Sequence, residues 1–140
     1  TCNNHPQITY HGFQQHDKVM EALGRAHIFA FPSIWVETSC IAAIEAMSAK
    51  CLTVTNNLGA LPETCANFAS MYQYTEDGQK HVNRFASILN NTINIMKEQQ
   101  NWQNQLEVQK NYFDNFYSWN FRAKEWELLL QGLSKDGSST

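Results

Sequence analysis

Two carboxylates eight residues apart, Glu37 and Glu45, are the residues best placed to do chemistry. Thr38, Ser39, Cys40 and Ile41 lie between them, after a loop that opens at Pro32 and inside the start of an Ala-rich stretch of helical character. The loop follows an apolar run of strand length and feeds a helix N-terminus, where unpaired backbone N–H groups favour an anion. Thr38 or Ser39 is expected to cap that helix, leaving the N–H groups near Cys40 and Ile41 to meet a phosphate. Eight residues is a little over two helical turns, so Glu45 keeps within about 80° of the face on which Glu37 stands. Carboxylates accept hydrogen bonds from hydroxyls. Two of them framing a phosphate-ready turn suit a ligand that carries hydroxyls and phosphate together, and a nucleotide-sugar has all of these parts. The plainer reading assigns Glu37 to the helix dipole and Glu45 to solvent, and spacing alone leaves both open. A further segment, Asn57-Leu58-Gly59-Ala60-Leu61-Pro62-Glu63, adds a glycine turn ahead of another helix start.

Such residues need a scaffold that brings several loops to one edge. Ile8–Phe13 reads as a short strand ending at Gly12, and Asp17–Ala26 as a helix capped by Asp17, with Val19, Met20 and Leu23 as its stripe. His27–Phe31 is a nearly continuous apolar run, the pattern of a strand buried on both faces in a parallel sheet. A helix over 39–50, a strand over 51–55, a short helix opening at Leu61-Pro62, a weaker strand over 70–74 and a long amphipathic helix over 79–97 follow. Two more helices are expected over 101–116 and 119–130, and the Gly/Ser-rich residues 134–140 read as a disordered tail. Four strand–helix alternations predict an α/β fold with a Rossmann-like parallel sheet. Residues 1–100 form its main body and 101–133 its trailing helices. Ligands on such sheets bind beyond the carboxyl ends of the strands, which assigns function to the loops 12–16, 32–40 and 56–63.

Composition narrows the partners. The chain has 140 residues, 43% of them hydrophobic, which is one domain's worth of core. Only 16% are charged, against about 25% in an average soluble protein. Neutral amides fill the gap, with 14 Asn and 11 Gln. A net charge of −3 with scattered Lys and Arg argues against nucleic acid as a partner. No apolar run is long enough to span a membrane. The four cysteines form no CxxC pair and, with the five histidines, show no metal-ligand spacing, so no metal is expected and a reducing, cytoplasmic setting is. Ser33 and Cys40 have no His and acid at a spacing that would make a hydrolase triad.

The order of these segments carries a resemblance. Ala30-Phe31-Pro32-Ser33, Glu37 with Glu45-Ala46-Met47 eight positions on, and Gly59-Ala60-Leu61-Pro62-Glu63 together resemble the C-terminal domain of GT-B glycosyltransferases. The resemblance is to the group 1, or GT4-type, retaining enzymes with their PS…E-x7-E-A signature. Tyr10-His11-Gly12-Phe13 and Tyr117-Ser118-Trp119 extend it over about residues 8 to 130. It implies that Glu37 binds hydroxyls of the donor sugar and that Glu45 holds the ribose of the nucleotide. It implies that backbone around Thr38, Ser39, Cys40 and Ile41 covers the sugar and pyrophosphate, and that Tyr10 and Gly12 lie by the base. The donor implied is a UDP- or GDP-sugar, used without a metal, and no Asp-x-Asp motif occurs in the chain. Transfer is implied to proceed with retention, by front-face attack within an ion pair, with Glu37 as an electrostatic partner and not a nucleophile.

Many members of that family have Gly after the first Glu and again two residues later; here Thr38 and Cys40 stand there. Trp35, just ahead of Glu37, is a candidate sugar-stacking platform. His11 lies near the expected cleft, with surface packing as its plainer reading. The chain lacks an initiator Met, and it reads as the second half of a donor-binding domain. On that reading the acceptor-binding domain, for a glycan, lipid or protein, and the family's phosphate-binding Arg and Lys lie upstream. The expectations are then an inactive isolated chain, self-association through an open strand edge, and a parent that is cytoplasmic or peripheral to a membrane. The alternative is a non-catalytic Rossmann-like module for interaction or nucleotide sensing.

Overall fold

The computed structural model describes residues 5–98 and 102–136. The elements run α1 (His16–Leu23), β1 (Ile28–Phe31), α2 (Ile41–Ser48), β2 (Leu52–Asn56), α3 (Leu61–Cys65), β3 (Ser70–Tyr72), α4 (Gly78–Glu98), α5 (Trp102–Phe116) and α6 (Trp119–Asp136). The three strands form one parallel sheet in the order β1-β2-β3. Ile28 pairs with Leu52 and Phe31 with Thr55, while Val54 pairs with Ser70 and Asn56 with Tyr72. The architecture is the expected α/β, Rossmann-like sheet with trailing helices. Parallel strands require helical crossovers, which α2 and α3 supply.

The central strand explains the sequence pattern best. Thr53, Val54, Thr55 and Asn56 are all buried, as expected of a strand covered on both faces. β1 departs from its expectation: it is an outer strand, Phe29 and Phe31 are half-buried, and Ala30 is exposed. Ile8–Phe13 forms no strand. Tyr10 and Phe13 are 74% and 90% exposed, and Gly12 takes a left-handed φ of 63°. A strand exists only where a neighbour accepts its hydrogen bonds, and none of the described residues pairs with this stretch. The expected four alternations are therefore three.

The core joins α2, α3 and α5. Cys40, Ala43, Met47, Leu61, Cys65 and Phe113 form one buried cluster, with Phe29, Phe31, Phe68 and Tyr112 packed against it. Gln109 on α5 is 2% exposed, and its amide donates to Met47 O and Cys51 O, both at 3.0 Å. Those carbonyls lie at the end of α2 and the start of β2, so α5 belongs to the core and is no mere appendage. α6 runs on to Asp136, so residues 134–136 of the expected tail are helical, while 137–140 lie outside the described residues. Trp119, Trp126 and Leu129 on α6 are exposed. No described helix is long and apolar enough to cross a membrane.

Candidate functional site

Parallel register puts the ends of β1 and β2 on the same edge, and the loops that leave them meet there. The loop after β1 is shaped by side chains from β2. Thr55 Oγ1 donates to Phe31 O at 2.8 Å, and Asn56 Nδ2 donates to Ser33 O at 2.5 Å. Ser33 Oγ in turn accepts from Trp35 N at 3.2 Å. Asn56 also turns its own loop, its Oδ1 accepting from Leu58 N at 2.9 Å, an Asx-type turn. Asn57 Oδ1 accepts from Tyr74 N at 2.8 Å and so ties in the chain leaving β3. Neither Asn56 nor Asn57 was singled out from sequence. An Asx residue two or three positions before a glycine is the signal that was there to be read.

Glu37 sits where the two loops interlock. Ala60 N donates to Glu37 O at 2.8 Å. Gly59 has a φ of 59°, and a Cβ built there would stand 2.6 Å from Glu37 O and 2.9 Å from Glu37 N. Only a glycine permits that approach, since real Cβ contacts do not come so close. The backbone of Glu37 is thereby pinned, while its half-buried side chain has no hydrogen bond or ion pair among the described residues. A carboxylate held by its backbone and left unpaired is ready to accept hydrogen bonds from a ligand.

The helix start that follows differs in detail from the expectation. Cys40, not Thr38 or Ser39, is the N-cap of α2, with φ −107°, ψ 91° and no side-chain capping bond. The reason is packing. The Cys40 side chain is buried against Leu61 and Cys65, which sets where the helix begins and leaves Thr38 and Ser39 exposed. The N–H groups of Ala43 and Ile44 both turn back to Cys40 O at 3.1 Å. The Ala42 N–H is directed at the Cys40 thiol, and that of Ile41, which has no helical acceptor before it, is left to meet an anion. The Ile41 side chain is 67% exposed. Burial holds the Cys40 thiol above its ordinary pKa, opposed by the Ala43 N–H and reinforced by the charge of Glu37. Thr38 and Ser39 also line a cavity of about 450 Å³ with Glu63, Tyr112, Phe116 and Arg122. The guanidinium of Arg122 lies 4.2 Å from the Phe116 ring centroid and bonds Glu125 at 2.7 Å.

Glu45 has a partner that the sequence did not suggest. His16 Nε2 lies 2.7 Å from Glu45 Oε1, joining the first residue of α1 to the middle of α2. That hydrogen bond, with the charge of Glu45 behind it, raises the His16 pKa above its ordinary value. The contact brings the 12–16 loop's end to the second carboxylate. Tyr10 is 74% exposed and a Cβ on Gly12 would meet nothing within 4 Å, so both stand open to solvent. Trp35 is 73% exposed, as a stacking platform would need to be. Among the described residues no group of three or more His, Cys, Asp or Glu can hold a metal ion.

One edge of the parallel α/β sheet thus carries an interlocked loop pair, a free helix-start N–H group and two carboxylates. A family model described as Glycosyl transferases group 1 matches residues 1–108, and the chain belongs to that family of glycosyltransferases. No curated protein and no solved structure matches it.

Proposed function

We propose that this chain supplies the donor side of a retaining, metal-independent transfer of a sugar from a nucleotide diphosphate sugar to an acceptor. The observation that supports it best is the interlock at Glu37: Gly59 and Ala60 fix its backbone, while its carboxylate has no hydrogen bond or ion pair among the described residues. In this reading Glu37 accepts from hydroxyls of the donor sugar and balances the positive charge that develops on the ring in the transition state. Front-face attack within an ion pair asks for that balance and for no covalent bond to Glu37. The N–H group of Ile41, with Thr38, Ser39 and Cys40 around it, takes the pyrophosphate. Glu45 accepts from the ribose, and Tyr10 and Gly12 border the base. The acceptor is bound outside this chain, so the chain alone turns nothing over and binds donor weakly. Its open β1 edge drives self-association.

The test is titration of UDP-, GDP- and ADP-sugars into the chain, followed by amide NMR shifts, with Glu37→Gln and Glu45→Gln alongside. The reading expects weak, saturable shifts around residues 37–45 for one base and a marked loss in each variant. Shifts that ignore both substitutions, or binding of the nucleotide without its sugar at equal strength in Glu37→Gln and wild type, favour a nucleotide-sensing module. Turnover of a nucleotide-sugar by the 140-residue chain overturns the claim that it is inactive alone.

A further inference from the structure

We infer that His16 is a positioning residue for the nucleoside, holding Glu45 by one carboxylate oxygen so that the other meets the ribose diol. The inference rests on the donor reading above and names what sets up one of its two carboxylates. The geometry is a 2.7 Å contact from His16 Nε2 to Glu45 Oε1. The Glu45 side chain is 24% exposed and that of His16 67%, so the carboxylate is withdrawn and the imidazole stands at its mouth. No other described side chain bonds Glu45, and Oε2 and His16 Nδ1 are both without a partner among the described residues. A carboxylate has two oxygens with about four acceptor sites. Anchoring one oxygen fixes the direction in which the other presents its lone pairs, which a vicinal diol can then use.

The surroundings leave the dyad to itself. α1 packs on α2, and Glu45 is the charge on α2 that faces His16; Asp17 is its neighbour on α1. Glu21 of α1 bonds both Lys18 of the same helix and Arg25, which follows it in the chain. Asp114 of α5, which shares a shallow cavity with Glu45 and Met20, is bonded to Ser48 and Lys110. An ion pair this exposed adds little to folding, so its consequence is sought in what Glu45 binds. The Glu45 contact favours the protonated imidazole, in which Nε2 donates. Diol binding is then strongest where His16 carries its proton and weakens as pH rises through its pKa.

The experiment titrates UDP and GDP, each against its 2′-deoxy form, into the chain at about pH 6 and about pH 8.5, either side of the ordinary histidine value. Histidine ring and amide NMR signals report binding, and thermal unfolding checks each variant. The expected preference for ribose over deoxyribose is about three- to tenfold at the lower pH, the scale of one hydrogen bond, and shrinks at the higher. His16→Gln, whose amide still donates, keeps the preference and makes it independent of pH. His16→Ala loses it with unchanged unfolding. A His16→Ala chain that keeps the wild-type preference, while Glu45→Gln loses it, overturns this inference and spares the donor reading. An unaffected Glu45→Gln, or no shift with either nucleotide at millimolar concentration, removes both.

Discussion

Replacing Gly59 with alanine tests the interlock of the two loops most directly. The substitution meets two independent penalties. At φ 59° an L-residue is in the left-handed region, which costs about 1–2 kcal/mol. The added Cβ also lands 2.6 Å from Glu37 O and 2.9 Å from Glu37 N. These are backbone atoms that cannot rotate away, and forcing atoms into a packed site costs about another 1–3 kcal/mol. The sum is about 2–5 kcal/mol, out of a total stability of about 5–15 kcal/mol for a domain. Gly12 provides the control. Its φ is 63°, but a Cβ there meets nothing within 4 Å, so Gly12→Ala pays at most the conformational part. Urea unfolding of wild type, Gly59→Ala and Gly12→Ala separates the two terms. A Gly59→Asn variant, tolerant of left-handed φ, is expected to rescue little, because the clash remains. Glu37 must move in the Gly59 variants, so amide shifts at 36–39 should accompany the lost stability. If Gly59→Ala proves no more destabilising than Gly12→Ala, the close approach is not what holds Glu37, and the reasoning fails.

Further tests address the core and the titrating groups. Gln109→Leu removes the donor to Met47 O and Cys51 O; Met47 O keeps the Lys50 N–H, so the loss falls on Cys51 O, at about 1–3 kcal/mol, and a lower urea midpoint with unchanged slope is expected. Phe113→Ala, at 1% exposure, should cost about 3–5 kcal/mol in the same measurement. The folded pKa of His16 lies above its unfolded value, so its stabilisation is complete below about pH 6.5 and lost as pH rises through the folded pKa. The stability difference between wild type and Glu45→Gln should accordingly be small for so exposed a pair, and what there is of it larger near pH 6 than near pH 9 in parallel denaturation series. Burial, with Cys40 nearby, pushes the Cys65 thiol up to about 12, so Cys65 should resist alkylation at about pH 8 in the native chain and react on unfolding, as mass spectrometry can show.

The elements legible in the sequence are those whose pattern is local. The strand found at Leu52–Asn56 declares itself by composition, though its burial was read into His27–Phe31 instead, while α4 is legible by its periodicity and α3 by Pro62 in its first turn. What escaped depends on partners distant in sequence. Ile8–Phe13 has a strand's composition but no neighbour to pair with, and pairing is what makes a strand. Thr38 and Ser39 are good caps by type, yet the burial of Cys40 decides where α2 begins. Gly59 was legible as a turn glycine, but not as the residue whose missing side chain admits the Glu37 backbone. His16 carries no local signal, because its partner Glu45 is 29 positions away.

The reach of α5 back into the core bears on how the chain is made. Phe113 closes a cluster begun by Cys40, and Gln109 satisfies carbonyls 62 and 58 positions earlier. During synthesis, the sheet and its first helices must therefore wait, with one wall open to water, until α5 has cleared the ribosome. The family match ends at residue 108, one position short of Gln109. A polypeptide ended at that boundary would keep every residue of the two carboxylate loops and lack the side chains that seal the core beneath them. The segment that is recognised is thus shorter than the segment that folds.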